Sequence, residues 1–505
     1  MDDISTSPDP LSVVPETVAA FVRASKRLFI GGEWVEATSG RSFDVFDPAT
    51  GQVIAAVPEA GAEDVDRAVR AARQALEEGE WAQLVPADRE RLLWRLSEII
   101  EREADDLAAL EALDNGKSVR MARLVDIQGA IDYLRYMAGW ATKIEGATLT
   151  PSFKGIPGAQ HTAFTLREPV GVVAAIIPWN FPLLMAVWKL APALAAGCPV
   201  VLKPAEETPL SALRLGELVA EAGFPAGSVN ILTGPGETTG AALVQHPGID
   251  KIAFTGSTAV GKIIGKAAMD GMKRVSLELG GKSPVLVLED ADIDQAAQGA
   301  AQAIFFNHGQ VCTAGSRVLV AESVHDALVE RLSAIASSLR LGSAFEEADM
   351  GPLVSKAQQE RVLGYVASAR EEGGEIACGG GPADDRPGYF VKPTVIARAR
   401  CGMRVVDEEI FGPVVAVQTF RNEDEMIRLA NATPYGLAAS IWSNDLRRVH
   451  RLIPRIKAGT VWVNAHNLVD PALPFGGYKQ SGLGREHGRE AINLYTEVKT
   501  VWMVV

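Results

Sequence analysis

Gly171-Val-Val-Ala-Ala-Ile-Ile177 runs straight into Pro178-Trp-Asn-Phe-Pro182. The first part is apolar or small throughout, and the second is a turn bracketed by two prolines. A short run rich in branched side chains and closed by proline reads as a strand buried on both faces. The run proper is Val172–Ile177, and outward from it comparable runs stand at Val200–Lys203, Val229–Leu232, Ile252–Phe254 and Val275–Leu277, with helical spacing over Ser211–Ala222 and Ala259–Met269 between them. Strands alternating with helices predict a doubly wound α/β fold with a parallel sheet, which binds ligands beyond the carboxyl ends of its strands. A second α/β unit is expected from about Gly281 to about Gly482.

On the amino-terminal side, Leu28–Ile30 and Phe43–Phe46 read as short strands separated by Gly-Gly and Ser-Gly turns. Val65, Ala68, Val69, Ala72 and Leu76 recur at helical spacing between Glu63 and Gly79; a second amphipathic helix follows from Ala87, and a third helical stretch from about Ser118 to Tyr136. Residues Met1 to about Ser25 read as a weakly ordered lead with one short helix near Glu16–Arg23. The chain has 505 residues, 47% apolar and 22% charged, which is enough for two or three domains.

The apolar runs are broken by Pro192, Gly197 and Pro199 well short of the roughly 20 residues of a membrane span. Met1-Asp-Asp-Ile-Ser5 is acidic and lacks the pattern of a secretory signal. The four cysteines, Cys198, Cys312, Cys378 and Cys401, give no disulfide framework and no metal-binding spacing, so a cytoplasmic protein is expected. A net charge of −14 argues against a nucleic-acid partner. The seven histidines form no ligand cluster, and no metal is expected.

Chemistry concentrates in three places. In Phe305-Phe-Asn-His-Gly-Gln-Val-Cys-Thr-Ala-Gly-Ser-Arg317, Cys312 stands among small residues that leave room for backbone N–H groups and a substrate near its sulfur, as a nucleophile requires. The alternative is an inert small hydrophobe. In Leu277-Glu-Leu-Gly-Gly-Lys-Ser-Pro284, Glu278 is a carboxylate between leucines at a strand end. Desolvation there raises its pKa toward that of a general base working near neutrality, and a local cap is the alternative. Asn180, in the turn after the first strand, offers an amide donor for a developing oxyanion, or is a turn asparagine.

These motifs, in order with Lys203-Pro-Ala-Glu-Glu-Thr-Pro209, Phe254-Thr-Gly-Ser257 and Glu409-Ile-Phe-Gly-Pro413, resemble the NAD(P)-dependent aldehyde dehydrogenase superfamily from about Phe29 to Met503. Within it the chain looks like the non-acylating, hydrolytic enzymes. The segment Val461–Gly482 and the extended amino terminus are most similar to bacterial phenylacetaldehyde dehydrogenases. The resemblance implies an atypical Rossmann cofactor domain, an α/β catalytic domain and a β oligomerisation arm. On this sequence these are an N-terminal extension over 1–27, the NAD-binding domain over 28–146 and 167–280, the catalytic domain over 281–482, and the arm over 147–166 and 483–505. A homo-oligomer, dimer or tetramer, follows from the exposed strand edges of such an arm.

Gly234-Pro-Gly236-Glu-Thr-Thr-Gly240 departs from the usual dinucleotide fingerprint by one residue, so the cofactor positions come from the resemblance. Lys203 and Glu206 match the positions at the adenosine ribose, Ser257 the pyrophosphate, and Glu409 with Phe411 the nicotinamide ribose. Ile176, Pro178, Trp179, Gly236, Gly240, Phe254, Gly256, Val260 and Leu279 complete the implied cofactor site. Glu206 would repel a 2′-phosphate, so NAD is expected over NADP, which Lys203 leaves as a weaker alternative.

Cys312, Glu278 and Asn180 match the catalytic residues, and Lys189 with Glu486 match a proton relay behind Glu278 or else form a structural ion pair. Phe181, Trp188, Phe306, His308, Val469 and Phe475 match the substrate tunnel. Its aromatic wall points to an aromatic aldehyde such as phenylacetaldehyde, with medium-chain and betaine aldehydes as alternatives. Other readings are a cofactor-independent thiol hydrolase, a silent scaffold, and a CoA-acylating variant, which has no need for Glu278.

Overall fold

The computed structural model describes residues 9–152, 155–383 and 386–504. The head of the expected lead, residues 1–8, and Val505 at the end of the expected arm lie outside the described residues. At the centre of the first, eight-stranded sheet is the run that opened the sequence reading. Val173–Ile176 lies between Val200–Lys203 and Lys251–Thr255, with Val229–Ile231 and Arg274–Glu278 beyond them, all parallel. Both central strands are buried throughout, which is why they are continuous apolar runs rather than alternating ones.

Antiparallel strands close the two edges of this sheet, Leu28–Ile30 with Glu33–Val35 on one side and Gly482–Leu483 on the other. The expected boundary between residues 482 and 483 therefore falls inside a strand, paired to Leu277 and Glu278. A Cβ on Gly482 would overlap the Leu277 carbonyl, so glycine is what lets the chain return here.

The second sheet has seven strands. Pro284–Val287 and Arg317–Ala321 lie near its middle, Val414–Phe420 and Ala438–Trp442 flank them, and all pairs are parallel except the edge strand Glu375–Cys378. A third, antiparallel sheet joins Thr496–Val504, His161–Pro169 and Thr148–Leu149.

Two local expectations change, and one helix had no counterpart in the sequence reading. The helix read from Ser118 starts at Val119 and widens into a π turn over Ala122–Ile127 before resuming over Gln128–Ala138. A helix over Ala104–Asn115 precedes it; nearly every residue of that helix is buried, so it has no polar face to give a periodic signal. Pro192 does not break the chain either. It sits inside the helix Pro182–Ala196, which is buried along its whole length, and packing on all sides supports the turn that lacks an N–H. No helix among the described residues is long and apolar enough to cross a membrane.

Candidate active site

Parallel register brings the carboxyl ends of three strands together: Ile176 pairs with Phe254, Phe254 with Leu277, and Thr255 with Glu278. Asn180, Ser257 and Glu278 therefore arrive at one end of the first sheet. From the other side, the loop between the helix Ile293–Phe305 and the strand Arg317–Ala321 brings in Cys312. Glycines set how close the two sides come. A Cβ on Gly281 would overlap the Cys312 carbonyl, and one on Gly315 would lie 2.6 Å from Val285 and 2.7 Å from Ala303. Asn307, His308 and Gly309 are left-handed in succession, with φ of 45°, 58° and 72°. The chain bends sharply there just before the cysteine.

A cavity of about 470 Å³ opens where these elements meet. Cys312, Glu278 and Asn180 line it, as do Phe181, Trp188, Phe306, Val469 and Phe475 of the expected tunnel. Pro178, Trp179, Gly256, Ser257, Leu279, Glu409 and Phe411 line its other end. His308 is the exception. The left-handed turn carries it behind Phe306 into the wall of a second cavity of about 510 Å³, where its ring packs over Gly351. The expectation that His308 lines the tunnel is corrected accordingly.

The remaining expected cofactor positions extend the site along the strand ends. Lys203 Nζ donates to the Pro204 carbonyl at 2.8 Å and pairs with Glu206 at 3.4 Å; Glu206 in turn accepts from the Gly236 N–H. Gly240 lies beside the Lys203 stem. Ile176 and Phe254 are buried in their strands, and Val260 is exposed on the helix Thr258–Asp270. Ser257 caps that helix, its Oγ accepting from the Val260 N–H at 3.3 Å. Glu409 accepts from the Gly281 N–H at 2.9 Å, and the Phe411 ring meets Trp179 edge-on at 5.2 Å.

The electrostatics follow from burial. Glu278 is 5% exposed, and neither of its oxygens has a hydrogen-bond partner among the described residues. Burial first, then the Glu486 carboxylate, holds its pKa well above the usual carboxylate range. Burial lifts Glu409 to about 7. The half-buried Cys312 thiol is pushed up to about 12 by desolvation and by the carboxylates of Glu278 and Glu409. At neutral pH the resting thiol is therefore protonated. Lys189 and Glu486 form a buried ion pair; Glu486 lines the cavity and Lys189 stands behind it. One N–H of the Asn180 amide donates to the Gln310 carbonyl at 3.0 Å, and among the described residues nothing accepts from the other.

Sequence reading missed several contributors. The imidazole of His487 lies 4.1 Å from Trp188, 4.9 Å from Tyr133 and 5.8 Å from Phe475, making a four-ring wall. Burial lowers the His487 pKa to about 4, so the ring is neutral at pH 7. Thr313 donates to Asn467 at 2.8 Å, and His466 Nε2 lies 2.8 Å from the Thr313 carbonyl; together they brace the cysteine loop from behind. The one available signal was that His466 and Asn467 stand in the segment 461–482 that carried the resemblance. Asn307 stands in the quoted cysteine stretch 305–317 without having been singled out, and Lys117 and Asn115, which with it hold the Asn180 turn, gave no sequence signal.

The model of the aldehyde dehydrogenase family matches residues 34–501. A phenylacetaldehyde dehydrogenase of Pseudomonas fluorescens is 52% identical over 95% of this chain and 96% of its own length. The human mitochondrial aldehyde dehydrogenase is 48% identical over 95% of this chain and 92% of its own. Among solved structures, an NAD+ complex of an aldehyde dehydrogenase from Bacillus cereus superposes with a TM-score of 0.95 at 49% identity, covering 97% of this chain and 99% of that one.

Proposed function

The chain belongs to the aldehyde dehydrogenase family, and from that premise we propose that it oxidises an aromatic aldehyde of the phenylacetaldehyde kind to its carboxylic acid. It is an oxidoreductase that uses NAD. The residues present fit that cofactor. Lys203 and Glu206 offer a cation and a carboxylate to ribose hydroxyls. The capped N-terminus of the helix Thr258–Asp270 suits a pyrophosphate, and Glu409 stands beside the cavity for the second ribose. When bound, NAD supplies the hydride acceptor. Glu206, one carboxylate oxygen of which faces the Gly236 N–H, disfavours a 2′-phosphate, so NADP should serve poorly.

Cys312 gives up its thiol proton to water, and the thiolate sulfur attacks the aldehyde carbon, whose carbonyl oxygen takes the negative charge. The free N–H of Asn180 and the Cys312 backbone N–H hold that oxyanion. Once the carbon has lost its hydride, a thioester remains on Cys312. Glu278 takes a proton from water, the hydroxide adds to the thioester, and the acid leaves with the sulfur again free. A carboxylate held well above its usual range and without a hydrogen-bond partner is poised for that proton. Lys189 and Glu486, paired behind it, provide a place for the proton to go. The sheet of Thr496–Val504, His161–Pro169 and Thr148–Leu149 serves as an arm joining subunits into a dimer or tetramer.

The observation that carries this reading is the convergence of Cys312, Glu278 and Asn180 on one cavity that Trp188, Phe475, Phe181 and Phe306 also wall. Formation of reduced cofactor from phenylacetaldehyde, hexanal, benzaldehyde and betaine aldehyde, with NAD and with NADP, tests it. Preference for the arylaldehydes with NAD is expected. No reduced cofactor from any aldehyde would refute the reading and favour a thiol hydrolase.

A further inference from the structure

The end of the helix Ala104–Asn115 presses a set of buried polar side chains against the turn that carries Asn180. Lys117 Nζ donates to the Asn180 carbonyl at 2.8 Å and lies 4.4 Å over the Phe181 ring. Asn115 donates to the Trp179 carbonyl at 2.7 Å, and Glu111 accepts from the Leu183 N–H at 2.9 Å. Asn307, from the cysteine loop, gives its amide to the same Asn180 carbonyl at 3.1 Å and to the Gln310 carbonyl at 3.3 Å. The Lys117 charge is met by Asp126 at 2.6 Å and Glu111 at 3.7 Å, with no exposure at any of the three side chains. None of these residues lines the catalytic cavity.

A buried cluster of one lysine and two carboxylates is a poor source of stability, since apolar residues of the same volume do as well or better. Its placement explains it differently. Backbone groups of residues 179, 180 and 183 are each bound from this one side, while the Asn180 amide is bound to Gln310, two residues before Cys312. We propose that Lys117, acting with Asn307, is a positioning residue that sets the Asn180 amide at a fixed distance from the Cys312 sulfur. This rests on the oxyanion role given to Asn180 above. Lys117 binds the turn, Asn307 binds turn and cysteine loop together, and the donor and the nucleophile keep one register through the reaction.

The test is a double-mutant cycle read on the single-turnover burst of reduced cofactor, with NAD affinity and aldehyde KM measured alongside. Lys117→Met is expected to slow the burst about 10- to 100-fold, the effect of a donor misplaced by an ångström or so, with little change in NAD affinity or KM. In an Asn180→Ala background the same substitution should add less than about twofold, because its target is gone. Losses that multiply, or an unchanged burst in Lys117→Met, would overturn the assignment and leave the role of Asn180 standing. An unchanged burst in Asn180→Ala alone would overturn both. Should Lys117→Met fail to fold, having stranded Glu111 and Asp126, Asn307→Gly runs the same cycle. It removes a donor to the same carbonyl, strands no charge, and keeps the left-handed backbone that position requires.

Discussion

At Cys312 and Glu278 the same burial has two opposite uses. It raises the carboxylate well above its ordinary range, in the direction the proposed base requires, and it raises the thiol to about 12, away from the thiolate the proposed nucleophile requires. Cys312→Ala should therefore abolish reduced-cofactor formation and leave NAD affinity near that of the parent, as measured by calorimetry. Glu278→Gln should give one burst and then stall, with steady-state turnover lower by about 10²- to 10⁴-fold, the usual weight of a general base. The sign of the pH dependence is fixed by the base. In the proposed role Glu278 acts when deprotonated, and its pKa is raised, so turnover should fall on acidification at a higher pH than an ordinary carboxylate would give. An acid limb in the ordinary carboxylate range would contradict the base assignment. For the thiol, alkylation of the resting protein should keep accelerating well above neutral pH. Glu409→Gln removes a carboxylate that raises Cys312, so it should speed alkylation several-fold at mildly alkaline pH.

Among the elements, the cysteine loop carries three left-handed residues in succession, Asn307, His308 and Gly309. Gly309 has a φ of 72°, and a Cβ there would overlap the Gly412 carbonyl. Gly309→Ala should therefore cost at least the roughly 1–2 kcal/mol of a left-handed non-glycine residue, with the overlap added to it. A fall in the denaturant midpoint, together with a slower burst, is the expected result; a midpoint equal to the parent's would mean that the loop relaxes freely. His308 shows what such a backbone does to sequence reading. Its neighbour Phe306 lines the catalytic cavity and it lines the cavity behind, because consecutive left-handed residues re-aim side chains in a way no periodicity announces.

Across the whole molecule, two large sheets supply the two halves of the site and the third sheet reaches outward. On that third sheet Val498, Trp502, Met503 and Val504 are each between 43% and 54% exposed, and Thr496–Val504 is its edge strand. An edge strand with this much apolar surface calls for a covering partner. Replacing Trp502 by Asp and Val504 by Lys together should lower the mass seen by light scattering without unfolding the chain; an unchanged mass would contradict the proposed role of this strand as a subunit contact. The sequence by itself determined the strand order's raw material and the three chemical groups. Apolar runs closed by Pro178, Ser257 and Glu278 mark strand ends, and a thiol, a carboxylate and an amide, the candidates for nucleophile, base and donor, are recognisable by residue type. Only the tertiary structure decided what holds them. Lys117, Asn307, His466 and His487 act on partners far away along the chain, through single hydrogen bonds and ring contacts. Local pattern records burial and backbone habit; it carries no trace of which distant carbonyl a buried side chain will meet.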